Sequence, residues 1–190
     1  MERIGIFGGT FDPIHVAHLV AAMSARHQCE LARVLLVVAG DPWQKHGTVV
    51  ASADDRFAMV AAAIEGVDGL EASRIEIDRP GPSYMVETAE TLHAPDCELF
   101  LVIGADAASR LSTWHRADDL RGLVTLAVVG RSEGAPVVDD GWNMVAVNMP
   151  RLDISSTDLR ERIANGISVD FLIPGPAVRV IRDRNLYTAG

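Results

Sequence analysis

Cysteine is scarce: only Cys29 and Cys97 occur in 190 residues. Two thiols so far apart in sequence fit neither a disulfide framework nor a metal knuckle. They read as buried free thiols in a reducing compartment. Positive charge is also short, with 17 Lys and Arg against 26 Asp and Glu, a net charge of −9. That balance argues against a broad nucleic-acid surface and leaves room only for a local basic pocket. Long hydrophobic runs are missing. VLLVVA (34–39) and ELFLVIG (98–104) are strand-sized, so no membrane span is expected. No basic-then-apolar leader precedes the first apolar run, which begins almost at Met1. Secretion is therefore not expected and a cytoplasmic location is. With no repeat, low-complexity stretch or linker, residues 1–190 are expected to form a single domain, including a C-terminal helical segment over 155–190.

Strands and helices alternate in what is there. Apolar, β-branched runs at 4–7, 34–39, 98–104 and 123–130 read as strands covered on both faces. Further strands are expected at 70–77 and 144–147. Helices are expected over 16–27, 56–64, from Ser83 to about His93, over 116–122, over 155–164 and from Pro174 to about Arg184. Ser52 with Asp55, and Ser155 with Asp158, have capping-box spacing, and Ser83 is placed to cap the helix that follows it. Residues 40–53 and 131–142 read as long loops. The alternation predicts an α/β fold, a doubly wound, mostly parallel sheet with helices on both faces. Ligands in such sheets bind beyond the carboxyl ends of the strands. The Gly8-Gly9 turn, the 40s loop, Gly104-Ala105-Asp106 and Arg131 all follow strand ends, which points to one shared site.

The dinucleotide fingerprint G-x-G-x-x-G and the phosphate loop ending in Gly-Lys-Ser/Thr are both absent. In their place the chain carries Gly8-Gly9-Thr10-Phe11-Asp12-Pro13, then His15 and His18. Glycines let the backbone approach a phosphate closely, and a helix N-terminus offers free N–H groups with partial positive charge. Histidines three apart share a helix face. Two imidazoles above such a turn point to chemistry on a nucleotide phosphate. A zinc pair lacks an evident third ligand nearby. Asp12 is a candidate for orienting the turn or a metal ion, and Arg56 for a helix-surface or structural ion-pair residue. A second constellation, Ile154-Ser155-Ser156-Thr157-Asp158-Leu159-Arg160, places two hydroxyls at a helix N-terminus and a guanidinium one turn on.

The pair of motifs resembles the nucleotidyltransferase superfamily with a His-x-x-His-type signature after its first strand. Ala17 stands where that superfamily usually has Gly. The C-terminal run from Asn165 to Tyr187, NGISVDFLIPGPAVRVIRDRNLY, resembles the bacterial nicotinate-nucleotide adenylyltransferase branch. The resemblance extends over essentially the whole chain. It implies transfer of the adenylyl group of ATP to nicotinate mononucleotide, giving deamido-NAD and pyrophosphate. Alternatives are nicotinamide mononucleotide or phosphopantetheine as acceptor, or a non-catalytic nucleotide-binding protein.

The resemblance further implies catalytic roles for His15, His18 and Arg160. It implies ATP binding by Gly8, Gly9, Thr10, Phe11, Gly104, Asp106, Ile154, Ser155 and Ser156. Nicotinate mononucleotide would be bound by Lys45, Thr88, Trp114, His115 and Arg131. Met85, Glu87 and Ala89 depart from the family pattern around Thr88, and Trp43-Gln44 replace Pro-His before Lys45. Mg²⁺ is expected to accompany ATP, held mainly by its phosphates and not by a protein cage. The implied partners are ATP and the mononucleotide, with no nucleic acid and no membrane; homo-oligomerisation is left open.

Overall fold

The computed structural model describes residues 1–42, 49–130 and 141–188. Six strands form one sheet: β1 (Glu2–Gly9), β2 (Arg33–Val38), β3 (Leu70–Ser73), β4 (Cys97–Gly104), β5 (Val124–Gly130) and β6 (Met144–Asn148). Their order is β3-β2-β1-β4-β5-β6, and β1, β4, β5 and β6 pair in parallel. The order reverses direction between β1 and β4, as in doubly wound sheets. In sheets of that kind, right-handed crossovers on either side of the reversal carry helices to opposite faces. The helices are α1 (Val16–Gln28), α2 (Ala53–Ala63), α3 (Met85–Leu92), α4 (Ala105–Ala108), α5 (Ala117–Leu123), α6 (Ser156–Ala164) and α7 (Gly175–Asp183). Among the described residues, no helix is long and apolar enough to cross a membrane.

The expected runs became strands because burial on both faces rewards them. Val34 to Val38 and Leu99 to Ile103 are buried without interruption. The exception is the run expected as a strand over 70–77, which ends at Ser73. There the Ser73 hydroxyl accepts the Ile75 N–H, and the Asp78 N–H bonds to the Arg74 carbonyl, closing a turn. The turn lies close to Gly40, where an added Cβ would stand 2.5 Å from the Glu76 carbonyl oxygen. Arg74 pairs with Asp54 and Asp78 across the same turn. The expected Ser83 cap is also replaced. Tyr84 occupies the cap position of α3 without a side-chain bond, and Ser83 Oγ instead accepts the Asp41 N–H. Helix α4 and the 3-10 turn Leu111–Thr113 were not expected.

Contacts within the chain, expected as one domain, divide into two compact units. The first comprises residues 1–8, 20–36 and 84–151, and the second residues 9–19, 37–83 and 152–190. In the first unit, α3 packs on α5, and Arg116 joins them through ion pairs to Glu90 and Asp119, each at 2.6 Å. In the second, α2 packs on α7 along Ala177, Val178 and Ile181. Ser52 caps α2 by accepting the Asp55 N–H, and Asp55 in turn receives Arg184 at 2.6 Å.

Candidate active site

The turn after β1 lies in the second unit, and its backbone is held by side chains from two other segments, α2 and α6. Arg56, on α2, is 1% exposed and donates to the carbonyls of Thr10 and Ala51. It is not the helix-surface residue expected, because the turn's inward carbonyls need donors that water cannot supply. From α6, Ser156 donates to the Pro13 carbonyl at 3.0 Å and Arg160 Nη1 to the Asp12 carbonyl at 2.7 Å. The two sequence motifs, more than 130 residues apart, are thus brought together on consecutive carbonyls. Arg160 spends one N–H there and a longer 3.4 Å contact on Thr157, which braces the guanidinium while its other donors remain for an anion.

Asp12 is 3% exposed. Its Oδ2 accepts the Val50 N–H at 2.8 Å, and Oδ1 accepts the Ala51 N–H at 3.1 Å and the Tyr187 hydroxyl at 2.7 Å. Of the two roles considered for Asp12, this geometry matches orienting the turn. Burial, and after it the hydrogen bond from Tyr187 to Asp12, pushes the phenol's pKa far up, so Tyr187 is a permanent neutral donor. The part played by Tyr187 did not follow from local sequence.

His15 and His18 sit at the start of α1. Their rings stack with centroids 3.7 Å apart, and Phe11 meets His18 edge-on at 5.1 Å. The backbone N–H of His15 donates to His18 Nδ1 at 3.2 Å. That bond leaves Nε2 of His18 to carry the proton and act as a donor. His15 is 5% exposed, and burial lowers its pKa to about 4, so at neutral pH it is uncharged. Gly9 fits the same arrangement: an added Cβ would stand 2.7 Å from the Phe11 ring that orients His18. Ser155 uses its hydroxyl to accept the Asp158 N–H, the expected cap, and Ile154 is half-buried just before it. Among the described residues, no group of three or more His, Cys, Asp or Glu is placed to hold a metal ion.

In the first unit, the Met85 methyl lies over Gly8, so a residue that departs from the family pattern packs against the glycine turn. Gly104 caps α4 and Asp106 lies exposed in its first turn. Tyr84 stacks on His115 with centroids 4.1 Å apart, joining the segment before α3 to the one that carries Trp114. Trp114 is half-buried at the end of the 3-10 turn. Thr88 is fully buried, its hydroxyl 3.5 Å from the Tyr84 carbonyl. Lys45 and Arg131, with Trp43 and Gln44, lie outside the described residues.

A cytidylyltransferase-like family model matches residues 6–162. A Streptomyces coelicolor protein named Probable nicotinate-nucleotide adenylyltransferase is 43% identical over 185 residues, covering 95% of this chain and 98% of its own. A Saccharopolyspora erythraea protein of the same name is 40% identical, covering 98% and 90%. Among solved structures, Plasmodium falciparum nicotinic acid mononucleotide adenylyltransferase complexed with NaAD superposes with a TM-score of 0.78 over 98% of both chains, at 20% identity. A Vibrio parahaemolyticus structure, named Putative Nicotinate-nucleotide Adenylyltransferase, gives a TM-score of 0.71 at 19% identity, covering 100% of this chain and 98% of its own. These structural likenesses carry the fold, and the sequence matches carry the kinship: the chain belongs to the cytidylyltransferase-like family and, within it, to the nicotinate-nucleotide adenylyltransferases.

Proposed function

We infer that this protein transfers the adenylyl group of ATP to nicotinate mononucleotide, forming deamido-NAD and releasing pyrophosphate. The observation that carries the reading is the convergence of His15, His18, Ser156 and Arg160 on the turn after β1. An oxygen of the mononucleotide phosphate forms a new bond to the α-phosphorus of ATP, and the bond from that phosphorus to the bridging oxygen breaks. Pyrophosphate leaves with the electron pair. The attacking phosphate is already anionic, so neither a general base nor a covalent enzyme intermediate is required. Catalysis is then positioning and charge stabilisation. His18 donates from Nε2 to a phosphate oxygen, and neutral His15 supports the ring against which it stacks. Arg160 and the N-terminal N–H groups of α6, that of Ser156 among them, receive the departing pyrophosphate, while the Ser156 hydroxyl stays on the Pro13 carbonyl. Mg²⁺ would accompany ATP, held mainly by the phosphates and water and not by side chains, and would there neutralise phosphate charge. Gly104 and Asp106 are assigned to ATP, and Lys45, Thr88, Trp114, His115 and Arg131 to the acceptor.

The test is pyrophosphate release from ATP and Mg²⁺, with nicotinate and nicotinamide mononucleotides offered separately. Faster turnover of the acid is expected. Equal or faster turnover of the amide would overturn the acceptor, and no release with either would overturn the activity. His18→Ala should lose about 100- to 1,000-fold in kcat, the loss seen when one preorganised transition-state donor is removed, while its melting curve stays close to that of the parent.

A further inference from the structure

We propose that Tyr187 is a positioning residue for ATP: its hydroxyl, acting through the Asp12 carboxylate, determines where the Arg160 guanidinium stands. The proposal rests on the reading of Arg160 as a phosphate ligand. Asp12 lies between the two side chains. Tyr187 reaches its Oδ1 at 2.7 Å, while Arg160 Nη1 stands 2.7 Å from its carbonyl oxygen and 3.8 Å from Oδ2. With Val50, Ala51 and Tyr187 all donating, the buried carboxylate has three hydrogen bonds without Arg160. Arg160 can therefore rest on the neutral carbonyl with part of its fork unspent.

Deleting the Tyr187 hydroxyl removes the shortest of those three bonds and leaves a buried anion under-satisfied. A guanidinium nitrogen 3.8 Å away is then drawn onto the carboxylate and away from any phosphate. Arg56 is less able to answer, because two of its nitrogens already hold the Ala51 and Thr10 carbonyls. Tyr187 is itself well placed to stay put. It is buried, and its hydroxyl also lies 3.9 Å from Met59 Sδ.

The experiment compares Tyr187→Phe with the parent, because phenylalanine keeps the buried ring and removes only the donor. ATP affinity by calorimetry, and kcat and KM for each substrate, are measured alongside melting curves. The affinity for ATP and its kcat/KM are expected to fall about tenfold, the loss that accompanies one hydrogen bond to a charged group. KM for nicotinate mononucleotide should stay within twofold. On an Arg160→Ala background, adding Tyr187→Phe should change ATP affinity less than twofold, since the group it positions is gone. The proposal is overturned if Tyr187→Phe alone leaves ATP affinity within twofold of the parent. Equal losses for ATP and the mononucleotide, or an undiminished effect on the Arg160→Ala background, would overturn it as well. Failure of the parent to release pyrophosphate overturns the function instead, and ATP calorimetry still tests the tyrosine by itself.

Discussion

His15 is 5% exposed, and taking its ring out of water makes a proton there costly. Burial lowers its folded pKa to about 4 against an ordinary 6.5. The unfolded chain accepts that proton below about pH 6.5, and the native state only near pH 4. Stability present above pH 6.5 is therefore lost as pH falls from 6.5 towards 4, amounting to about 3 kcal/mol in total. Thermal melts across that window should show a decline that His15→Gln flattens; an equal decline in the variant would assign it to other groups. His15, His18, Ser156 and Arg160 were legible beforehand because each lies in a short stretch whose spacing carries the chemistry. Tyr187 was not. It meets Asp12 across 175 residues, and no local pattern encodes a hydrogen bond of that span. Of the two readings of Arg56, helix-surface or structural ion-pair residue, the first failed because a guanidinium on a helix ordinarily faces water, whereas here backbone carbonyls replace the water.

The elements were read well wherever a hydrophobic period coincided with burial, and poorly where a side chain competed for the backbone. Ser52 and Ser155 cap α2 and α6 as their spacing implied. The run after Leu70 has alternation enough for a longer strand, but Ser73 captures the Ile75 N–H and the chain turns instead. The Ser52 cap has a measurable weight. Its hydroxyl accepts from the Asp55 N–H and donates to the Asp55 carboxylate, and together with Arg184 it holds that carboxyl below the usual range. Ser52→Ala should destabilise the fold by about 1 kcal/mol and lower Tm by roughly 3 °C in a chain of this size. A shift below half a degree would mean that Arg184 alone suffices to anchor the start of α2.

At the scale of the whole molecule, the fold class was readable because strand and helix patterns alternate along the entire chain, whereas alternation alone sets no strand order. The division into two units was not, since each unit draws on three separate stretches of sequence. The unit that carries the turn after β1 combines residues 9–19 with residues 37–83 and 152–190. Its defining bonds join residues 148 and 175 positions apart. Loop closure over such distances is entropically costly and is rewarded only late, so contacts of this kind slow folding. During synthesis, the first residues of the site emerge from the ribosome long before their partners exist. Refolding from denaturant should accordingly recover helical signal before ATP binding, with the binding phase trailing. The turn after β1 is therefore braced only once residues 156–187 have reached a segment made far earlier in the chain.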